Sequence, residues 1–509
     1  MSRITLSDIE KIALNKALFI LDETTKDEVK KSFSFLQNFA SDKIIYGINT
    51  GFGPMAQFKI DEDKLNQLQY NLIRSHSSGT GNPIGDEEAR AVLVARANNF
   101  LQGNSGVSYG VVEKITEFLN NEIYPEIFEH GGVGASGDLV QLAHLALNLI
   151  GEGYVRYKGE RRKTADVFKE LNIEPLQIQL RDGLGLMNGT SCMTGIAAVN
   201  VIYAKRLLDW SIATSAIINE VVESFDDSFS EGLNQVKLHE GQTAVAQKMR
   251  TILGDSQLIR KREELFADDE ALQQREFKKK IQEYYSIRCV PQILGPVAET
   301  LEYAQKVIER EVNSTNDNPI VRADLDNVFH GGNFHGDYIS LEMDKVKIVV
   351  TKLTMLAERQ LNFLLNSKIN DLFPPFLNAK TLGFNFGIQG MQFTATSTTA
   401  ENQMLSNPMY VHSISNNNDN QDIVSMGTNS AVIARKVIEN GFQVMAIHMM
   451  AVTQAIDLLP EEKRAKLSSK TKEIYSGIRK IVPMINEDVA QFENILEVTK
   501  TLRNTTLKL

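Results

Sequence analysis

Three stretches of this chain are apolar around most of a helix rather than along one stripe, and they constrain the fold more than any other feature. Leu139 to Ile150 sets leucines at 139, 142, 145 and 149 with alanines between them. Ile339 to Leu365 and Gly427 to Leu459 are longer, with few breakers and apolar side chains on most faces. Helices of this kind belong inside a bundle or at contacts between subunits. Alternating strands are scarce; one hairpin is expected from Tyr154–Tyr157 to Glu160–Arg162 across Lys158-Gly159. The expectation is a mainly α protein. Its Gly-rich loops gather before about residue 200 and at 331–336, with an Asn-rich loop at 416–420.

Charge and cysteine usage remove whole classes of function. With 54 Lys+Arg against 64 Asp+Glu the net charge is −10, and no basic tract offers itself to nucleic acid. Two cysteines, Cys192 and Cys289, cannot build a disulfide framework or a Cys-only metal site, which points to a reducing compartment. No targeting segment is expected, since Asn15 and Lys16 interrupt the apolar stretch from Ile12 to Leu21. Val444 to Ile456 carries His448, Thr453 and Gln454 and reads as a buried helix, not a membrane span. The eight histidines show no H-E-x-x-H or similar spacing, so no metal is expected. Residues 260–280 hold 13 charges of both signs and read as a solvated helix or surface loop. The chain is expected to be a cytoplasmic enzyme or a helical scaffold.

The glycine loops carry the chemistry. Gly132-Val-Gly-Ala-Ser-Gly137 satisfies G-x-G-x-x-G and opens a helix, but its lead-in, residues 122–129, holds acids and a proline and makes a poor parallel strand. A nucleophile elbow fails because Asp138 stands where the second glycine should be. Ala135-Ser136-Gly137 supports something sharper. In a tight bend the unshielded Gly137 nitrogen can attack the Ala135 carbonyl. Loss of two waters, one taking the Ser136 hydroxyl, leaves an electrophilic methylidene-imidazolone made from backbone. The helix starting near Asp138 aims its positive end at such a ring. An ordinary turn remains the plain alternative for these three residues.

Other segments bear on that choice. They are Tyr46-Gly-Ile-Asn-Thr-Gly-Phe-Gly53, Asn188-Gly-Thr190, and Tyr285-Ser-Ile-Arg288, which sets Tyr285 and Arg288 on one helical face. Asp317-Asn-Pro319, Gly331-Gly-Asn-Phe-His335 and Asn420-Gln-Asp422 complete the set. Together with Gly-Ala-Ser-Gly-Asp-Leu at 134–139, they resemble, in order and over most of the chain, the ammonia-lyases and aminomutases that use a methylidene-imidazolone. One departure is Val140-Gln141, where that family usually has a proline soon after Gly-Asp-Leu.

The resemblance implies a nearly all-α ammonia-lyase/fumarase-like fold, with an N-terminal catalytic region (1–205) on a long helical bundle (206–509). It implies a homotetramer whose active sites draw on three subunits, and a 4-methylidene-imidazole-5-one formed from Ala135, Ser136 and Gly137 with no external cofactor. Carried over by motif, Tyr46 is the general base that removes a β-proton, and Arg288 grips the substrate carboxylate. Asn188, Gln282, Tyr285 and Phe334 line the ring and substrate; Gly53, Ser75, His76, Asn420 and Gln421 complete the substrate pocket. Two signals on the substrate conflict. Ser75-His76 matches histidine ammonia-lyases, whereas Asn420-Gln421-Asp422 has the tyrosine and phenylalanine form, with an amide where histidine enzymes carry Glu. An imidazole substrate loses its carboxylate partner there, while His76 can hydrogen-bond a phenol. Over its whole length the chain is similar to tyrosine ammonia-lyases of flavobacteria. The expected reaction is L-tyrosine to trans-p-coumarate and ammonia. Histidine to urocanate comes next, then tyrosine 2,3-aminomutase chemistry, with no nucleic acid or membrane partner.

Overall fold

A computed structural model describes residues 3–266, 275 and 281–508. The charged stretch expected to be a solvated helix or loop therefore lies largely outside the described residues. Its first residues are paired, Arg260 with Glu283, Lys261 with Asp226 and Arg262 with Asp227. The chain is mainly helical, and the three apolar stretches form the helices Leu139–Leu149, Asp337–Leu365 and Gly427–Leu458. None of the helices among the described residues is long and apolar enough to cross a membrane.

The chain divides into two compact units, the first made of residues 1–202, 304–344 and 408–435 and the second of 203–303, 345–407 and 436–509. Residues 304–344 and 408–435 belong to the first unit together with 1–202. Specific contacts explain this. The fully buried Arg181 pairs with Asp317 at 3.1 Å and donates to the Asn318 carbonyl at 2.8 Å. The loop before the 427–458 helix is tied down by Ser425 Oγ and Met426 N, which donate to the Gly134 and Val133 carbonyls.

Within the first unit the helix Asp86–Leu101 is buried on almost every side. Gly195, on the helix Ser191–Val221, lets that helix come down onto its backbone: a Cβ there would lie 2.5 Å from Val92 N. The strands are short and pair antiparallel: β1 (Thr80–Pro83) with β3 (Phe128–His130), β2 (Tyr124–Pro125) with β4 (Tyr154–Tyr157), β4 with β5 (Glu160–Lys163), and β6 (Ile320–Arg322) with β7 (Asn327–Phe329). The β4–β5 hairpin is the expected one. Its turn residues Lys158 and Gly159 both have positive φ, 53° and 81°, as a two-residue turn matched to strand twist requires. The lead-in to the glycine loop is split between β2 and β3, so the parallel strand of a dinucleotide site is not there.

The second unit is helical and cross-braced by buried polar groups. Trp210 Nε1 donates to the Leu502 carbonyl at 2.9 Å. Gln360 bridges Ser215 and the Ser286 carbonyl, and Asn402 Nδ2 reaches the Val437 carbonyl at 3.0 Å. Satisfied buried amides of this kind fix helix register, which an all-apolar contact leaves free to slide.

Candidate active site

The backbone at Ala135-Ser136-Gly137 bends as its sequence demands. Gly137 has φ +74°, and a Cβ there would sit 2.0 Å from the Gly189 carbonyl oxygen. Only glycine fits both the dihedral and the contact. The two chain segments lie edge to edge, and Asp138 N donates to Gly189 O at 2.8 Å. Both Ser136 oxygens receive amide hydrogens: Asn188 Nδ2 donates to the carbonyl at 2.9 Å and Gln421 Nε2 to the hydroxyl at 3.1 Å. Asn188 Oδ1 is buried with no hydrogen-bond partner among the described residues.

Asp138 caps this arrangement from below. Its fully buried carboxylate accepts from Met193 N at 2.8 Å and from the Thr428 hydroxyl. Burial pushes its pKa up to about 6, against the pull of those donors. The helix Leu139–Leu149 begins at the next residue, so its N-terminal end is next in sequence to the bend.

Ser136 opens onto a cavity of about 720 Å³ in the first unit, the size of a pocket for a small organic ligand. Tyr46, Gly53, Ser75, His76, Asn188, Phe334, Asn420 and Gln421 all line it. Gly53 N donates to Tyr46 Oη at 3.0 Å, so the loop turns back on its own tyrosine. Buried Gln69 ties that loop down, donating to the Gly47 carbonyl at 3.1 Å and accepting from Leu184 N at 2.8 Å. His76 ends the helix Leu65–His76, and its Nδ1 lies 3.0 Å from the Leu72 carbonyl. A carbonyl can only accept, so Nδ1 is the donor, and in that tautomer Nε2 is the ring's acceptor.

The Asn-rich run has a backbone reason. Asn417, Asn418 and Asp419 have φ of 54°, 52° and 58° in succession, between the paired residues Asn416 and Gln421. Asn and Asp tolerate the left-handed region better than other side chains, and this reversal brings Gln421 back to Ser136.

Gln282, Tyr285 and Arg288 are not in this cavity. They belong to the second unit, where Gln282 and Arg288 line a separate cavity of about 250 Å³. There Arg288 donates to Gln282 Oε1 and lies 4.7 Å above the Tyr285 ring, so the pairing on one helical face holds.

Residues that sequence reading passed over also face the cavity. Leu68, Asn71 and Leu72 share a helical face with Ser75 and His76, and that three-to-four spacing was available as a signal. His330 lines the cavity with Gly331 and Asn318. Arg96 gave no signal at all. It is fully buried on the 86–101 helix, and burial lowers its pKa to about 10, so the guanidinium stays charged at neutral pH.

The aromatic amino acid lyase family model matches residues 4–480. A tyrosine 2,3-aminomutase of Chondromyces crocatus is 38% identical over 501 residues, covering 97% of this chain and 93% of the relative. A histidine ammonia-lyase of Bacillus subtilis is 36% identical over 507 residues, covering 99% and 96%. The crystal structure of a tyrosine aminomutase from Streptomyces globisporus superposes with a TM-score of 0.95 at 35% identity, covering 99% of this chain and 95% of that one.

Proposed function

Because the chain belongs to the aromatic amino acid lyase family and has its mainly α ammonia-lyase/fumarase-like fold, we propose that it eliminates ammonia from L-tyrosine to give trans-p-coumarate. The observation that carries the choice of tyrosine is His76: its Nδ1 is engaged by the Leu72 carbonyl, which leaves Nε2 as an acceptor for a phenolic hydroxyl. Gln421 supports the same choice, since a neutral amide gives an imidazole substrate no carboxylate to pair with.

The residues at 135–137 fit a 4-methylidene-imidazole-5-one. The bend at Gly137 excludes any side chain, and amide donors reach both Ser136 oxygens. Such a ring supplies an electrophile for the substrate's α-amino group, making it a good leaving group.

The rest is done by side chains. Tyr46, held by the Gly53 N–H, takes a β-proton as general base. Asn188 and Gln421 keep the Ser136 position fixed, and Phe334 and Asn420 bound the substrate. Ser75 Oγ donates to the Leu72 carbonyl at 3.1 Å, steadying the helix end that presents His76. Arg288 grips the carboxylate with a bidentate pair, aided by Gln282 and Tyr285. Since these three lie outside the cavity of their own chain, the proposal assigns them to the site of a neighbouring copy in a homotetramer.

Ultraviolet assays with tyrosine, histidine and phenylalanine offered separately test the substrate; faster turnover of histidine to urocanate would reverse the choice. The relatives that carry the name tyrosine 2,3-aminomutase favour one second reading, return of ammonia to the β-carbon. Chromatography for β-tyrosine separates the two. Ser136→Ala should abolish activity and restore the full unmodified mass, and retained activity would refute the ring.

A further inference from the structure

Arg96 is a buried cation whose hydrogen bonds all go to neutral groups around one turn. Its guanidinium donates to the Gly185 carbonyl, to the Asn188 carbonyl at 2.8 Å, to Ser191 Oγ at 3.2 Å and to Asn316 Oδ1 at 3.5 Å. Gly185 lies in the short helix Asp182–Met187 and Ser191 opens the long helix Ser191–Val221. One planar fork therefore fastens both ends of the turn Asn188-Gly189-Thr190. A lysine could not reach this set of acceptors with the same geometry. The approach is as close as backbone allows: a Cβ on Gly189, whose φ is +139°, would lie 2.5 Å from Arg96 Nη1. Phe100 closes the opposite side, with the guanidinium 4.4 Å from its ring centroid.

That turn is the surface on which the 135–137 bend is formed. Gly189 O accepts from Asp138 N, and the Asn188 side chain donates to Ser136 O. We propose that Arg96 is the positioning residue for ring formation, clamping the 188–191 turn so that Asn188 and Gly189 hold Ala135-Ser136-Gly137 in the bend that cyclises. This rests on the reading that the ring forms from those residues.

The chemistry balances without an added reagent. Gly137 N bonds to the Ala135 carbonyl carbon. The Ala135 oxygen leaves as water with the hydrogens of Gly137 N and Ser136 N, and a carbon–nitrogen double bond forms. The Ser136 hydroxyl leaves with the Ser136 Cα hydrogen as the second water, and the methylidene remains. Asn188 Nδ2, on the Ser136 carbonyl, withdraws electrons from that Cα and eases loss of its hydrogen. Arg96 touches none of the reacting atoms. Its effect is through the turn, where a misplacement of about 1 Å can slow a reaction about 10²-fold.

The test is intact-mass spectrometry of freshly translated full-length protein over time, on fractions that elute as folded wild-type chain with its helical circular dichroism. Wild type should become lighter by two waters; if it does not, the ring reading itself fails. Arg96→Met should mature about 10²-fold more slowly, and Arg96→Lys should fall between. If Arg96→Met does not fold, Arg96→Lys is read in its place, because it keeps the charge and loses the planar fork that holds both ends of the turn. Either folded variant maturing at the wild-type rate, beside a wild type that does lose two waters, overturns the role of Arg96. A purely structural role would lower the folded yield without changing the maturation rate of what folds.

Discussion

Replacing His76 with phenylalanine tests the substrate assignment most directly, because the structure allows each consequence to be followed. His76 Nδ1 lies 3.0 Å from the Leu72 carbonyl, and the proposed reading gives Nε2 the role of acceptor for the substrate hydroxyl. Tyrosine satisfies it, while phenylalanine leaves that lone pair unpaired at about 1–3 kcal/mol. In the variant the acceptor is gone and the phenolic hydroxyl becomes the unpaired group, at a similar cost. The two swings add to about 2–6 kcal/mol, so the ratio of kcat/KM for tyrosine over phenylalanine should fall by about 30-fold to 10⁴-fold. Local structure should survive, since Ser75 Oγ still donates to the Leu72 carbonyl at 3.1 Å. The assay is initial rates on both amino acids, read as cinnamate and p-coumarate absorbance, for wild type and His76→Phe. A ratio unchanged within about twofold would refute the assignment of His76 to the hydroxyl, whatever happens to the absolute rates.

Three further perturbations follow from the same structure. Gly137→Ala forces a side chain to within 2.0 Å of the Gly189 oxygen and adds left-handed strain of about 1–2 kcal/mol; the protein should melt earlier and keep its full unmodified mass. Asp317→Asn leaves the fully buried Arg181 without its carboxylate, and denaturant titration should show a loss of about 3–5 kcal/mol. His448 is fully buried, neither ring nitrogen has a partner among the described residues, and burial lowers its pKa from 6.5 to about 3. A lowered folded pKa gives stability that is present above about pH 6.5 and lost as the pH falls toward 3. His448→Leu should therefore gain on wild type by up to about 1.4 kcal/mol per pH unit through that window; parallel melting curves at pH 7 and pH 5 would show no divergence if the ring were charged or paired in the folded chain.

The helices were legible because their evidence is local. Leu139, Leu142, Leu145 and Leu149 repeat at helical spacing, and Lys158-Gly159 marks its hairpin without help from distant residues. The cavity residues were legible for a different reason: Tyr46, Ser136, Asn188 and Gln421 stand in motifs long enough to resemble a family, though nothing in their spacing brings them together. What stayed hidden was tertiary. Arg96 and Arg181 look in sequence like any surface cation, because a buried guanidinium is defined by carbonyls that come from far along the chain. The unit to which 304–344 belongs was equally invisible, since it is set by Arg181 reaching Asp317 and not by any break in composition.

If Ala135-Ser136-Gly137 cyclises as proposed, the contact between Gly137 and Gly189, with Gln421 on Ser136, sets when the ring can form. The segment at 135–137 leaves the ribosome long before residues 189 and 421 are available to bend it. A chain still being made therefore carries an inert Ala-Ser-Gly, harmless to the thiols and amines it meets. On the proposed reading the electrophile is timed by completion of the fold, and a misfolded copy has no means of arming itself.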